Sequence, residues 1–129
     1  MISDKLMKAI LWVGFVYDAV LGTAFLLAGS WAFEMLQITP PNHWAYLHLC
    51  AGFVVVLGVL QAMAALPAKP DRKLVLVCLM LKAVYCVVVF GHYALASIPG
   101  VWVLLGAVDA AFAFVFMLWF AGSPKPESE

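Results

Sequence analysis

Three ionisable residues, Asp18, Lys82 and Asp109, interrupt long apolar stretches of this sequence. An ionisable side chain at the mid-depth of a bilayer is energetically costly, so it is retained for a partner, a cavity or a function. Because Lys82 can neutralise only one of the two carboxylates, the other would tend to take up a proton. The three groups are expected to titrate as a coupled set, which is the chemistry of a proton-exchange or cation-exchange site. The simpler interpretation is an ion pair that fixes which helices meet and in what register.

Residue spacing predicts that these three residues lie at one depth and face one another. Counted inward at about 1.5 Å per helical residue, they lie roughly 15, 13 and 18 Å from the cytoplasmic ends of their segments. Small residues accompany both carboxylates, as they do where membrane helices pack closely. The stripes are Gly14, Asp18 and Gly22, and then Gly106, Asp109, Ala110 and Ala113. Tyr17, beside Asp18, and Tyr85, to one side of Lys82, are further candidates for a ligand-binding or proton-binding site.

Two histidines form a second candidate site. His48 and His92 are expected near the outer ends of the second and third apolar segments. Imidazoles that face each other across a helix bundle can ligate haem or a metal ion. The alternative is that each interfacial histidine forms a hydrogen bond with a neighbouring carbonyl group or with water.

The three cysteines, Cys50, Cys78 and Cys86, all fall inside apolar stretches. They form no C-x-x-C motif, so the sequence indicates neither a disulfide framework nor a zinc site nor a thioredoxin-type redox pair. Buried free thiols are the favoured interpretation.

The composition predicts that membrane helices position these residues. Hydrophobic residues make up 67% of the 129 residues and charged residues 11%, against about 45–50% and 25% in soluble domains. A bilayer core needs roughly 20 consecutive apolar residues per helix. Four such segments cover about residues 7–29, 45–66, 74–96 and 101–121. We therefore predict an all-α integral membrane four-helix bundle, up-down-up-down, with one domain over residues 1–121 and a disordered cytoplasmic tail over residues 122–129.

The basic residues predict the orientation, since Lys and Arg near helix ends stay on the cytoplasmic side. The basic residues outside the third segment lie before or at the start of the first segment, between the second and third segments, and in the tail. They are Lys5, Lys8, Lys69, Arg72, Lys73 and Lys125. Both termini are therefore expected in the cytoplasm, with the four segments in the inner membrane. A cleaved signal peptide is rejected, because the first apolar run is too long and carries Asp18 at its centre.

The connection over residues 30–44 contains no Lys or Arg. It is expected to form a short interfacial amphipathic segment around Trp31 and Phe33, followed by a stiff turn at Pro40 and Pro41. Its apolar side chains would pack on lipid headgroups or, as the alternative, cap an outward-facing cavity.

Several motif positions resemble those of a known family. They are Gly14-x-x-Tyr17-Asp18 in the first segment, and Pro41-x-x-Trp44 leading into His48-x-x-Ala51-Gly52 in the second. With short connections throughout, this order resembles the DoxX-like small four-helix membrane proteins of bacteria. The resemblance is architectural and spans most of the chain. It implies a four-helix membrane fold in a group that includes subunits associated with quinone-linked sulfur oxidation, and it assigns no catalytic residue.

Three functions fit these features. The first is an accessory subunit or a small-ligand-binding membrane protein, rather than an enzyme on its own. The second is a proton-coupled or cation-coupled small transporter that uses Asp18, Lys82 and Asp109, and a homodimer or larger complex is then expected because four helices rarely enclose a path. The third is a redox subunit that holds haem through His48 and His92, or quinone near the charged layer. The lipid bilayer is the expected partner, and no basic stripe indicates nucleic acid.

Overall fold

The fold consists of four long helices in residues 2–122, which the computed structural model describes. The helices are α1 Asp4–Met35, α2 Trp44–Ala65, α3 Arg72–Leu95 and α4 Gly100–Gly122. Each is long and apolar enough to cross a membrane, so the prediction of an all-α chain with four such helices is confirmed. Of the predicted tail, Gly122 is the last residue of α4, and residues 123–129 lie outside the described residues.

Short polar motifs determine where α1 and α3 begin. Ser3 precedes α1, and its Oγ accepts a hydrogen bond from the Leu6 backbone N–H at 3.3 Å. Asp71 precedes α3 and accepts hydrogen bonds from the backbone N–H groups of Lys73 and Leu74, at 2.9 and 3.1 Å. These caps satisfy N–H groups that have no partner within the first turn of a helix.

α1 is longer than the sequence indicated, and the prediction of a connection that starts at residue 30 is wrong. The helix continues to Met35 past a kink at Ala28, where φ is −132° and ψ is 30°. Gly29 suggested a helix end, but its role is close packing, since a Cβ there would lie 3.2 Å from the nearest side-chain atom of α2. The turn lies further along the chain, where Gln37 adopts a positive φ of 52°.

Two hydrogen bonds identify the helix ends that lie together. Trp119 Nε1, near the end of α4, donates to Asp4 Oδ1 at the start of α1, at 2.9 Å. Lys8 Nζ of α1 donates to the Pro67 carbonyl oxygen in the α2–α3 connection, at 2.8 Å. Consecutive helices are therefore antiparallel, as predicted. We refer to this end of the bundle as the terminal end and to the opposite end as the distal end.

The helices pack most extensively as two hairpins, α1 with α2 and α3 with α4. Glycines allow the backbones of the first hairpin to approach closely. A Cβ on Gly22 of α1 would lie 2.6 Å from the Ala51 carbonyl oxygen of α2, and one on Gly58 of α2 would lie 3.1 Å from the Phe15 carbonyl oxygen of α1. The small-residue stripe of α1 is therefore a packing face, as the sequence predicted.

Two apolar cores lie on either side of the charged residues. The core toward the terminal end contains Met7, Leu11, Leu57, Ala64, Ala65, Val75, Cys78, Phe116 and Trp119. The distal core contains Phe25, Phe33 and Ala51, against which Trp44 and Trp102 pack. Asp18, Lys82 and Asp109 therefore lie between the larger apolar core, toward the terminal end, and the aromatic rings of the distal core.

Candidate functional site

Asp18, Lys82 and Asp109 converge inside the bundle from α1, α3 and α4. Lys82 Nζ donates to Asp18 Oδ2 at 3.0 Å and to Asp109 Oδ1 at 2.6 Å. The exposed fraction is 0% for Lys82, 2% for Asp18 and 8% for Asp109. The buried cluster that the sequence predicted is confirmed, and a single ammonium group bridges both carboxylates.

Glycines in α1 and α4 bring the carboxylates to this point. Gly14 and Gly22, one turn before and after Asp18, are buried against α2. Gly106 lies one turn before Asp109, and a Cβ there would lie 3.1 Å from a side-chain methyl group of α3. At Gly22 the nearest atoms include the α2 backbone, so a larger residue there would move α1 away from α2, whereas at Gly14 and Gly106 it would meet the side chains of Gln61 and Val89. The small-residue stripes thus hold the carboxylates within reach of Lys82.

Gln61 of α2 is a fourth polar member of the cluster, and it was not predicted from the sequence. Its Nε2 donates to Asp18 Oδ2, its side chain is fully buried, and its Oε1 has no hydrogen-bond partner within the described residues. A Cβ on Gly14 would overlap Oε1, so Gly14 provides the space for this amide. The signal that could have found it is that Gln61 is the only polar residue between Gly58 and Leu66.

The two carboxylates have different environments. Asp18 accepts hydrogen bonds from both Lys82 and Gln61. In residues 2–122, Asp109 accepts a hydrogen bond from Lys82 alone, on Oδ1, and its side chain keeps an exposed fraction of 11% against 3% for Asp18. Asp18 is therefore held on several sides by protein groups, whereas Asp109 Oδ2 retains its capacity to accept a hydrogen bond.

Aromatic rings enclose the ammonium group of Lys82. Lys82 Nζ lies 4.9 Å from the ring centroid of Phe112 and 5.6 Å from that of Tyr17, and these two rings stack at 5.9 Å. Both distances permit attraction between a cation and an aromatic face. Tyr17 thus contacts the cluster through its ring, while the Tyr85 hydroxyl donates to the Trp102 carbonyl oxygen at 3.4 Å.

A cavity of about 220 Å³ extends from the cluster toward the distal end. The end of the cavity next to the cluster, which we call its floor, is lined by Asp18, Asp109, Tyr17 and Tyr85. Most of the remaining wall is apolar. Lys82 does not border the cavity, which agrees with its complete burial. A molecule in this space would therefore contact Asp18, Asp109, Tyr17 and Tyr85 but not Lys82.

The exposure of its lining residues indicates that the cavity opens sideways, between α2 and α3. Its most exposed lining residues are on these two helices: Phe53, with an exposed fraction of 65%, and Leu81, with 44%. α2 and α3 belong to different hairpins and pack on each other less extensively than the helices within a hairpin do. The opening lies along the side of the bundle, where the surface is apolar.

The distal core closes the top of the cavity. Phe25 and Trp102 line it, with ring centroids 5.8 Å apart, and both rings contact Phe33 from the last turns of α1. Phe33 is buried and also packs edge-to-face against Trp44. Of the two roles expected for residues 30–44, capping a cavity is the one that these contacts favour.

The two histidines lie away from the charged cluster. His48 and His92 are both exposed, on α2 and α3, and the His48 ring lies 6.2 Å from that of Trp44. Within residues 2–122, no group of three or more His, Cys, Asp and Glu side chains is arranged to hold a metal ion. Ligation of haem by these two histidines therefore stays a prediction from their positions in the sequence.

The cysteines differ in their burial. Cys78 is buried, Cys86 is half-buried with its Sγ 3.5 Å from the Gly106 carbonyl oxygen, and Cys50 is exposed. All three are free thiols. The expectation that every cysteine is buried is wrong for Cys50, because this residue lines the cavity and belongs to neither apolar core.

The site can do two things chemically. It can share one proton or one cation among two carboxylates and an ammonium group, and it can hold a small apolar molecule whose polar end reaches those carboxylates. Comparison of the chain with protein-family models, with curated proteins and with solved structures gives no match in any of the three.

Proposed function

We propose that this chain is a multi-pass protein of the inner membrane, with both termini in the cytoplasm. Large apolar side chains cover its surface; Leu27, Val87 and Leu95 have exposed fractions of 83%, 72% and 90%. Soluble proteins rarely expose such continuous apolar surface. Apart from buried Lys82, every Lys and Arg of residues 2–122 lies near the terminal end, which supports a cytoplasmic location of that end.

Reporter fusions test this topology. Alkaline phosphatase folds only where its disulfides form, outside the cytoplasm. Fused to the C-terminus of the full chain, it is expected to be inactive, whereas inserted into the connection between α1 and α2 it is expected to be active. The opposite pattern, or activity at both positions, would contradict the proposed orientation.

We propose further that the chain binds a small hydrophobic molecule that enters from the bilayer. The observation that carries this proposal is the apolar cavity that opens on the side of the bundle and ends at Asp18 and Asp109. Ligand sites are typically apolar clefts in which a few polar groups orient the ligand. A lateral opening would admit a molecule dissolved in the hydrocarbon layer, and the buried carboxylates would bind its polar end.

The size of the cavity limits the ligand. An apolar cavity of about 150 Å³ accommodates benzene, so one of about 220 Å³ has room for roughly nine non-hydrogen atoms. A ligand of that size can reach dissociation constants of roughly micromolar to millimolar, given the usual free energy per atom. A short substituted aromatic compound is therefore a suitable probe.

Binding of 2-phenylethanol to the full chain in maltoside micelles, measured by calorimetry, tests this function. Val54→Trp fills the cavity, since Val54 lines it, and is expected to weaken binding at least about 10-fold. The matched control is Val56→Trp, on the same helix, which is exposed and does not line the cavity. Absence of saturable binding to the unmodified protein, or equal affinity of the two variants, would refute the proposal.

The transporter remains a second candidate, because the bridged carboxylates favour it. A buried group of two carboxylates and one ammonium can exchange a proton or cation as its charge balance changes. We propose this activity only as an extension of ligand binding at the same site. The accessory-subunit role, quinone or haem chemistry and the resemblance to DoxX-like proteins stay predictions from the sequence.

A further inference from the structure

We propose that the ligand of the cavity carries a cationic head group, a protonated amine, that binds to Asp109. This inference rests on the proposed ligand-binding function and specifies the chemical class of the ligand. It is carried by the position of Asp109 in the cavity floor and by the exclusion of Lys82 from that cavity.

The net charge of the cluster favours a cationic ligand. With both carboxylates ionised and Lys82 protonated, the cluster has one negative charge in excess of its positive charge. A buried net charge is costly in an apolar environment unless a counter-charge or a proton balances it. A cationic head group that arrives through the cavity would supply that counter-charge.

The hydrogen bonding of Asp109 also favours a cationic ligand. Within the described residues its only hydrogen bond is the one on Oδ1 from Lys82, and Asp109 lines the cavity. An ammonium group has hydrogen-bond donors and no acceptor. It would therefore complete the hydrogen bonding of Asp109 on the side that faces the cavity, with a charge-assisted hydrogen bond stronger than a neutral one.

The walls of the cavity also select the sign of the ligand charge. The polar side chains at the floor are two carboxylates and two phenols, while the ammonium group of Lys82 is sealed behind them. An anionic head group would meet like charges without a cation within reach. The aromatic residues Phe25, Tyr85 and Trp102 line the same space, and the faces of aromatic rings attract cations.

Three probes of nearly equal size test the inference: 2-phenylethylamine, 2-phenylethanol and phenylacetate. Each is titrated calorimetrically into the full chain in nonionic micelles near neutral pH. The amine is expected to bind at least about 10-fold more tightly than the alcohol, and phenylacetate more weakly than either. Asp109→Asn is expected to remove the preference for the amine and to change the affinity for the alcohol less than about 3-fold.

The control is Glu34→Gln, which removes an exposed carboxylate that does not line the cavity and should preserve the preference for the amine. Equal binding of amine and alcohol to the unmodified protein would overturn the cationic ligand and leave the binding function intact. Retention of the preference in Asp109→Asn would overturn the role of Asp109. If none of the probes binds, the proposed function itself fails. The comparison of probes on the unmodified protein decides the ligand class even if a variant does not fold.

Discussion

Replacing Lys82 by methionine is expected to lower the free energy of unfolding by about 3–5 kcal/mol, because two buried carboxylates lose their shared cation. Methionine retains a flexible apolar stem, so the loss reflects the missing charge more than missing volume. Lys82 is fully buried, with its Nζ 3.0 Å from Asp18 and 2.6 Å from Asp109. Without it, the carboxylates must take up protons or admit water, and either response loosens the contacts among α1, α3 and α4.

The measurement is unfolding in mixed micelles by a denaturing detergent, followed by circular dichroism. Lys73→Met is the matched control, since Lys73 lies on the same helix but is exposed near its start, and surface substitutions usually change stability by less than about 0.5 kcal/mol. Equal stability of the two variants would contradict the structural role of Lys82.

A rescue experiment separates charge from packing. If uncompensated charge causes the loss, adding Asp18→Asn and Asp109→Asn to Lys82→Met should restore at least half of the lost stability. Coupling of this kind is expected among residues of one hydrogen-bonded network. Additive losses across the three substitutions would instead indicate that Lys82 stabilises the bundle through the packing of its stem.

The charged cluster could be predicted from the sequence because its three ionisable residues interrupt otherwise apolar segments. In a chain so rich in apolar residues, Asp18, Lys82 and Asp109 stand out, and 3.6-residue periodicity places the two carboxylates on faces with small residues. Gln61 was not predicted as a member of the cluster, because an uncharged amide near a helix end is tolerated in many membrane helices. Its role depends on the space above Gly14, a three-dimensional fact that spacing along one helix does not reveal.

The distal end of the bundle was harder to predict. Gly29 followed by Ser30 looks like a helix end, yet α1 continues because Phe33 gains contacts with Phe25, Trp44 and Trp102. Tertiary packing here overrides the local signal. The cavity could not be predicted for the same reason: residues of all four helices line it, so it depends on their combined packing.

Gly22→Ala is expected to destabilise the bundle by about 1–3 kcal/mol, because the added methyl group would have to push the α1 and α2 backbones apart. The Cβ would lie 2.6 Å from the Ala51 carbonyl oxygen and 2.9 Å from the Val55 backbone nitrogen. Backbone atoms in a helix cannot move aside as the end of a flexible side chain can. Since Gly22 lies one turn from Asp18 and also lines the cavity, the same displacement should weaken binding of the amine probe.

Gly52→Ala supplies the matched control, with the opposite expected sign. Gly52 lies on α2, next in sequence to the residue whose carbonyl Gly22 approaches, and a Cβ there would meet nothing within 4 Å. Alanine in a helix interior is more favourable than glycine by about 0.5–1 kcal/mol, so this variant should unfold at equal or higher detergent concentration. If both substitutions change stability in the same direction and by the same amount, helix propensity rather than close approach of α1 and α2 governs the hairpin. A loss of stability in Gly22→Ala alone would show that close contact between the α1 and α2 backbones stabilises the hairpin. The same contact would then determine the position from which Asp18 reaches Lys82.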